Sequence, residues 1–248
     1  MNVSTYNNYN SLSEAAAQLV LEQVALKPDS LLCFASGDSP TGTLNYLIQY
    51  VKQGKINLSA CFFVGLDEWI GMDENDEGSC KHYLNTHFFN LLNIDPKQIR
   101  LFDAKCKDVE AECSKMNQFI TEKGGLDLII VGIGMNGHIG LNEPGTDFNS
   151  YAHRAILDEV TIKVGQKYFK EQTTLSGGIT LGLRHLTESK RAILIASGNK
   201  KADIIAKALE GPVSASVPAT IFQTIPGSYV LLDDDSARSL KNKYQQIK

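Results

Sequence analysis

The chain has 248 residues, with 24 Lys and Arg against 28 Asp and Glu, giving a net charge of −4. That length can bury a sizeable core, and the mild negative charge excludes a general affinity for nucleic acid or an anionic membrane surface. A small anion needs only local charge and is not excluded.

No apolar run approaches the roughly 20 residues of a membrane span, and Met1 to Asn10 is too polar for a signal peptide. Cys33, Cys61, Cys80, Cys106 and Cys113 form no CxxC pair. They read as small buried hydrophobes of a reducing compartment, so a cytoplasmic protein is expected.

Ser11-Leu-Ser-Glu14 has capping-box spacing and predicts a helix reaching about Lys27. Leu31 to Ser36 is a short apolar run that fits a buried strand, and 41–55 reads as a helix. Ala60 to Glu68 predicts a second strand, followed by helices over 79–92 and 107–122. "LDLIIVGIG" is a third strand and Arg191 to Ser197 a fourth. A helix from Asn199 to Glu210 stops at Gly211-Pro212, and Tyr229 to Asp233 is a last strand. No repeat or flexible linker divides the chain, so residues 1–248 are expected to form one domain. Apolar strands alternating with amphipathic helices predict an α/β fold, a Rossmann-like three-layer α/β/α arrangement with a mostly parallel central sheet.

In such sheets ligands bind beyond the C-terminal strand ends, so those ends are the places to search. The first is followed by Ser36-Gly37-Asp38-Ser39-Pro40. Small residues there let backbone N–H groups approach an anion at a helix N-terminus. The same residues also fit an ordinary turn with Ser39 as cap and Pro40 at the first helical position. The second strand ends in Asp67-Glu68, an acid/base pair or a solvated rim. The third ends in "GIGMNGHIGLNEPG", where His138 and Glu143 share a glycine-rich loop and can relay protons near neutral pH. Its glycines do not follow GxGxxG, so a dinucleotide site is not expected. Asn136 in that loop can hydrogen-bond but adds no negative charge beside His138. The fourth ends in Ser197-Gly198-Asn199-Lys200-Lys201, where a lysine against the helix dipole makes sense if it meets an anion.

Together these ends describe an anion site (Ser36 to Ser39 with Lys201) beside an acid/base site (Asp67, His138, Glu143). That combination suits a small sugar-phosphate enzyme. No His/Cys cluster has metal spacing. His82, His87, His153 and His185 are scattered and read as structural or exposed.

"SGDSPTGTL", "GLDEWIGM", "GIGMNGHIGLNEPG", "LSGGITLGL" and "ASGNKKAD" resemble, in order and spacing, the glucosamine/galactosamine-6-phosphate deaminase (isomerase) family. Within it, "LDEW", "GSCKHYL", "KGGLDL" and "PVSASVPATIFQ" look more like the galactosamine branch. The chain ends short of the C-terminal extension of allosterically activated members, so that control is not expected. The resemblance implies that Asp67 is the base at C2, His138 the ring-opening acid/base and Glu143 its supporting carboxylate. It places Ser36, Gly37, Asp38 and Ser39 in a phosphate loop and makes Lys201 a phosphate lysine.

Lys167 falls where many members carry a phosphate arginine, keeping the charge but losing the bidentate fork. The Asp38 carboxylate is expected to point away from the phosphate, leaving its backbone N–H to contribute. Asn136 stands where many relatives have aspartate. The resemblance implies an amino-sugar phosphate as small-molecule partner and no cofactor, and it leaves room for a homo-oligomer. A lactonase of the related 6-phosphogluconolactonase type and a non-catalytic sugar-phosphate sensor are the competing readings.

Overall fold

A computed structural model describes residues 1–242 and 244–247. In chain order the elements are β1 (Asn2–Tyr6), α1 (Tyr9–Leu26), β2 (Leu31–Phe34), α2 (Asp38–Lys52), β3 (Phe62–Gly65) and β4 (Asp67–Trp69). Next come α3 (Cys80–Leu84) and α4 (Asn90–Leu92), joined by a π-helical turn (Asn85–Phe89), then β5 (Ile99–Arg100), α5 (Val109–Glu122), β6 (Leu128–Val131) and β7 (His153–Ala155). The chain continues through α6 (Glu159–Gly165), β8 (Gly178–Thr180), α7 (Leu183–Glu188), β9 (Ala192–Ala196), α8 (Ala202–Glu210), β10 (Tyr229–Asp233), α9 (Asp234–Ala237) and β11 (Gln245–Ile247).

Eight strands form a sheet in the order β11-β1-β10-β9-β6-β2-β3-β5, and every pairing in it is parallel. The apolar runs fit because both faces are covered. Leu31 and Cys33 of β2, with Ala35 just past its end, pack into one core with Met116 of α5 and Ile205 and Ala208 of α8. The intervening Leu32 and Phe34 pack into the other with Leu12, Ala16 and Val20 of α1 and Leu44 and Leu47 of α2. Side chains that alternate every residue therefore feed two cores, which is the expected three-layer arrangement. Cys33, Cys61, Cys80 and Cys113 are buried free thiols, while Cys106 is partly exposed. Among the described residues no helix is long and apolar enough to cross a membrane.

Three boundaries depart from the sequence expectations. Helix α1 begins earlier than the Ser11 box, because Asn8 is the cap and its side chain accepts from the Ser11 N–H. Helix α2 begins at Asp38, not at 41, with Gly37 in the cap position and no side-chain cap. The long second strand breaks after Gly65. Asp67–Trp69 leaves the main sheet and pairs antiparallel with β8, which pairs with β7, giving a separate sheet ordered β4-β8-β7. That small sheet turns Asp67 away from the core and over the C-terminal rim of β3.

From β2 the chain moves outward to β3 and β5, then returns to β6 on the other side of β2. The strand order therefore reverses between β2 and β6, and the crevice beyond their ends is the preferred place for a ligand in a doubly wound sheet.

Candidate active site

The exits of β2, β3, β6 and β9, which are adjacent strands, converge on one cavity of about 620 Å³. Its lining includes Ser36 to Ser39, Asp67, Gly132 to Met135, His138, Ser197 and Lys201. The segment around α6 closes the opposite wall with Thr161, Lys167 and Tyr168. The β2 and β6 exits pack so closely that a Cβ on Gly132 would stand 2.9 Å from Ser39 Oγ.

One end of the cavity is built to hold an anion. Because Gly37 caps α2 without a side chain, no cap side chain takes up its first-turn N–H groups beside the cavity, where the helix dipole favours negative charge. Gly37 has φ 91°, and a Cβ there would stand 2.8 Å from the Tyr168 hydroxyl, so glycine is required on both counts. The Tyr9 hydroxyl braces this turn, donating to the Asp38 carbonyl and accepting from the Gly42 N–H.

Lys201 reaches in from the start of α8, and its Nζ donates to the Ile133 carbonyl at 2.6 Å. Burial, with the like charge of Lys167 adding to it, pushes the Lys201 amine down to about 8. Asp233 at the end of β10 fixes this exit by accepting from Ser197 Oγ and the Gly198 N–H. Lys167 approaches from the far side. The Asp38 carboxylate, expected to point away from the phosphate, is exposed but reaches across to the expected phosphate lysine: its Oδ2 accepts from Lys167 Nζ at 2.5 Å.

The other end holds the ionisable pair. Asp67 is partly open to the cavity. Its carboxyl is pushed up to about 6 by burial, against opposing pulls from the Cys80 thiol and the His138 imidazole. Glu68 has a different task. It is buried, and its two oxygens accept from the backbone N–H groups of Trp69, Cys80 and Lys81, tying β4 to the start of α3. Burial pushes its carboxyl up to about 7 even so. The two acids are thus neither a matched pair nor a solvated rim.

His138 lies flat over Gly134, where a Cβ would fall 2.3 Å from Nε2. Its Nδ1 points into the protein, 2.9 Å from Thr161 Oγ1 and 3.4 Å from Glu143 Oε2. Glu143 stands behind the imidazole and is 7% exposed. Burial raises its carboxyl, but hydrogen bonds involving His138, Thr161 and Asn136 outweigh this and hold it below its usual range. Asn136 answers the question its side chain raised in the sequence. Its Nδ2 donates to Glu143 Oε2 at 2.8 Å, and its Oδ1 accepts from the His138 backbone N–H. It clamps the loop and the carboxylate together.

All ten residues singled out in the sequence gather at or directly behind this cavity. Two of the histidines set aside there, His82 and His87, also line it, with His87 stacked on Tyr83 at 4.5 Å. His185 is buried, and His153 holds the Tyr151 carbonyl, both away from the cavity. Thr161 was not anticipated: nothing in "DEVTIK" marks it. Among the described residues no group of three or more His, Cys, Asp or Glu side chains is placed to hold a metal ion.

Residues 7–230 match the family of glucosamine-6-phosphate isomerases/6-phosphogluconolactonase. A glucosamine-6-phosphate deaminase of Lachnoclostridium phytofermentans is 39% identical over 232 residues, 93% of this chain and 98% of its own. One of Clostridium botulinum is 36% identical over 244 residues, 98% of this chain and all of its own. The solved structure of a monomeric glucosamine-6-phosphate deaminase superposes with a TM-score of 0.93 at 33% identity, covering 96% of this chain and 100% of that one. A 6-phosphogluconolactonase of Trypanosoma brucei, 15% identical with a TM-score of 0.74, shares the fold.

Proposed function

Because the chain belongs to the glucosamine-6-phosphate isomerase/6-phosphogluconolactonase family, we propose that it converts glucosamine 6-phosphate and water to fructose 6-phosphate and ammonia. The observation that carries this reading is one cavity with an anion cradle at one end and a desolvated carboxylate facing an imidazole at the other. Both relatives named above and the solved deaminase act on glucosamine 6-phosphate by name. That favours the gluco epimer over the galacto epimer suggested by the short segments "GSCKHYL" and "PVSASVPATIFQ". The galacto substrate would yield tagatose 6-phosphate.

In this reading the open N–H groups of α2, Ser36, Ser39 and Lys201 hold the phosphate, and Lys167 joins them. His138 moves the proton between O1 and O5 that opens the pyranose. Asp67 then takes the proton from C2 and returns it at C1, passing through an enolamine. The resulting ketimine at C2 is hydrolysed: water supplies the ketone oxygen, and the nitrogen leaves as ammonia. A carboxylate held near 6 is ionised at neutral pH yet basic enough to accept a carbon-bound proton. The substrate's own carbonyl acidifies C2–H, so no cofactor is invoked.

The test is ammonia release from glucosamine 6-phosphate and galactosamine 6-phosphate side by side, with 6-phosphogluconolactone hydrolysis as the alternative activity. Ammonia from the gluco substrate at the higher kcat/KM supports the assignment. Preference for the galacto substrate replaces the epimer, and lactone hydrolysis without ammonia release replaces the reaction.

A further inference from the structure

His138 is the group through which the ring-opening proton would pass, yet its nearest side-chain partner lies outside its own loop. Thr161 is on α6, and its Oγ1 is 2.9 Å from His138 Nδ1, closer than Glu143 at 3.4 Å. The threonine is 4% exposed, so water does not readily replace it. Glu143 Oε2 faces the same Nδ1, and the Thr161 hydroxyl is among the groups that hold its carboxyl below the usual range.

The donor count then fixes the protons. An ionised carboxylate only accepts, and a hydroxyl has one hydrogen to give. If Thr161 gives that hydrogen to Glu143, its oxygen is left to accept from Nδ1–H. A neutral His138 with its proton on Nδ1 carries its lone pair on Nε2, the nitrogen that lies over Gly134 in the cavity wall. Glu143 is itself held in place by Asn136 Nδ2. The contacts converge on Nδ1: Asn136 holds Glu143, Glu143 and Thr161 both face His138, and only His138 reacts.

We propose that Thr161 is a positioning residue: its hydroxyl, set between His138 Nδ1 and the Glu143 carboxylate, fixes the imidazole as the Nδ1–H tautomer with a basic Nε2 facing the cavity. A valine of the same shape leaves Nδ1–H with only the carboxylate at 3.4 Å, beyond good hydrogen-bond length. The catalytic part of this inference rests on the proposed deaminase reading, but the tautomer part does not.

The experiment is 15N NMR of the histidine rings in the unliganded full-length protein at a pH where His138 is neutral, assigned with His138→Gln. The wild type is expected to show a single Nδ1–H tautomer, Thr161→Ser to retain it, and Thr161→Val to show both tautomers exchanging. In parallel, kcat for ammonia release is expected to fall roughly tenfold or more in Thr161→Val, the range of a misplaced acid/base group, and to recover largely in Thr161→Ser. KM should change far less than kcat. Should Thr161→Val fail to fold, Thr161→Ala is read in the same way. An Nε2–H tautomer in the wild type, or an unchanged tautomer in Thr161→Val or Thr161→Ala, overturns the proposal. A wild type that shows the Thr161-dependent tautomer but releases no ammonia leaves the positioning role standing and overturns the deaminase reading instead.

Discussion

Asp38 Oδ2 lies 2.5 Å from Lys167 Nζ, joining the α2 cap to the opposite wall of the cavity. The lysine expected to meet the phosphate is therefore paired with a carboxylate. A phosphate reaching Lys167 competes with Asp38 and also feels its negative charge. Asp38→Asn keeps the backbone N–H and removes both effects. Inorganic phosphate is expected to bind roughly two- to five-fold more tightly to that variant, the size of an exposed ion pair. The gain should vanish when Lys167→Met is added. Calorimetry on the single and double variants checks this, and an equal gain with and without Lys167 would mean that the two residues act separately.

Lys201 gives the phosphate end its own pH dependence. Burial and the neighbouring Lys167 charge push its amine down to about 8, so it is charged below that pH and neutral above it. Phosphate needs the charged form. The inhibition constant for inorganic phosphate should stay level near pH 7 and rise above about 8, approaching tenfold per unit. Lys201→Arg keeps its charge throughout and should flatten that limb even if its different shape weakens binding overall. An alkaline limb unchanged in Lys201→Arg would assign the titration to another group.

The strand exits were legible because apolar runs ended in Gly, Ser, Asp or Lys at β2, β3, β6 and β9, and a parallel sheet puts those ends on one rim. The partners that cross the cavity were not. Thr161 and His138 are 23 apart in sequence, and Lys167 and Asp38 are 129 apart. No periodicity encodes such contacts; they arise from how α6 is laid over the sheet edge. The β4-β8-β7 sheet escaped because its strands are three residues long, too short for an alternating pattern. Strand β1 escaped because "NVSTY" is mostly polar and buries chiefly Val3 and Tyr6.

Gly134 makes room for the imidazole. A Cβ there would stand 2.3 to 2.5 Å from three His138 ring atoms, while its backbone lies outside the left-handed region that favours glycine. Gly134→Ala should therefore fold but displace the ring. A displacement of about 1 Å at a reacting group can reduce turnover on the order of a hundredfold. Near-normal kcat in a folded Gly134→Ala protein would show that His138 has room to spare.

Asn136→Asp replaces the donor on Glu143 Oε2 with a second carboxylate at the same 2.8 Å position. Two carboxylates that close cannot both ionise easily, so the pair retains a proton to higher pH. Either protonation state disturbs the contacts behind His138. The acidic limb of the kcat/KM profile is expected to move upward, and the melting temperature to fall near pH 8, where both carboxyls are driven to ionise. A profile and a melting temperature that both match the wild type would place Asn136 outside the coupled group.

Asp67 sets function against stability. Its carboxyl is pushed up to about 6 in the folded protein, mainly by burial, against an ordinary value of 3.8. Between those two values the folded state holds a proton that the unfolded chain has released. Stability therefore falls as pH rises through that window, and the full penalty remains above it. Asp67→Asn cannot ionise and escapes the penalty. It should be more stable than the wild type near pH 7.5, by about 1 to 2 kcal/mol after discounting for the side chain's partial opening to the cavity. It also relieves Glu68, whose carboxyl is raised in part by the Asp67 charge. The stability gain should disappear below about pH 4, where both forms are neutral. At saturating substrate the same variant should release no ammonia, because an amide cannot take the C2 proton, while inorganic phosphate still binds at the other end of the cavity. Denaturant melts across pH together with ammonia assays decide the matter: a variant that is active, or one less stable at pH 7.5, removes Asp67 from the role of strained base.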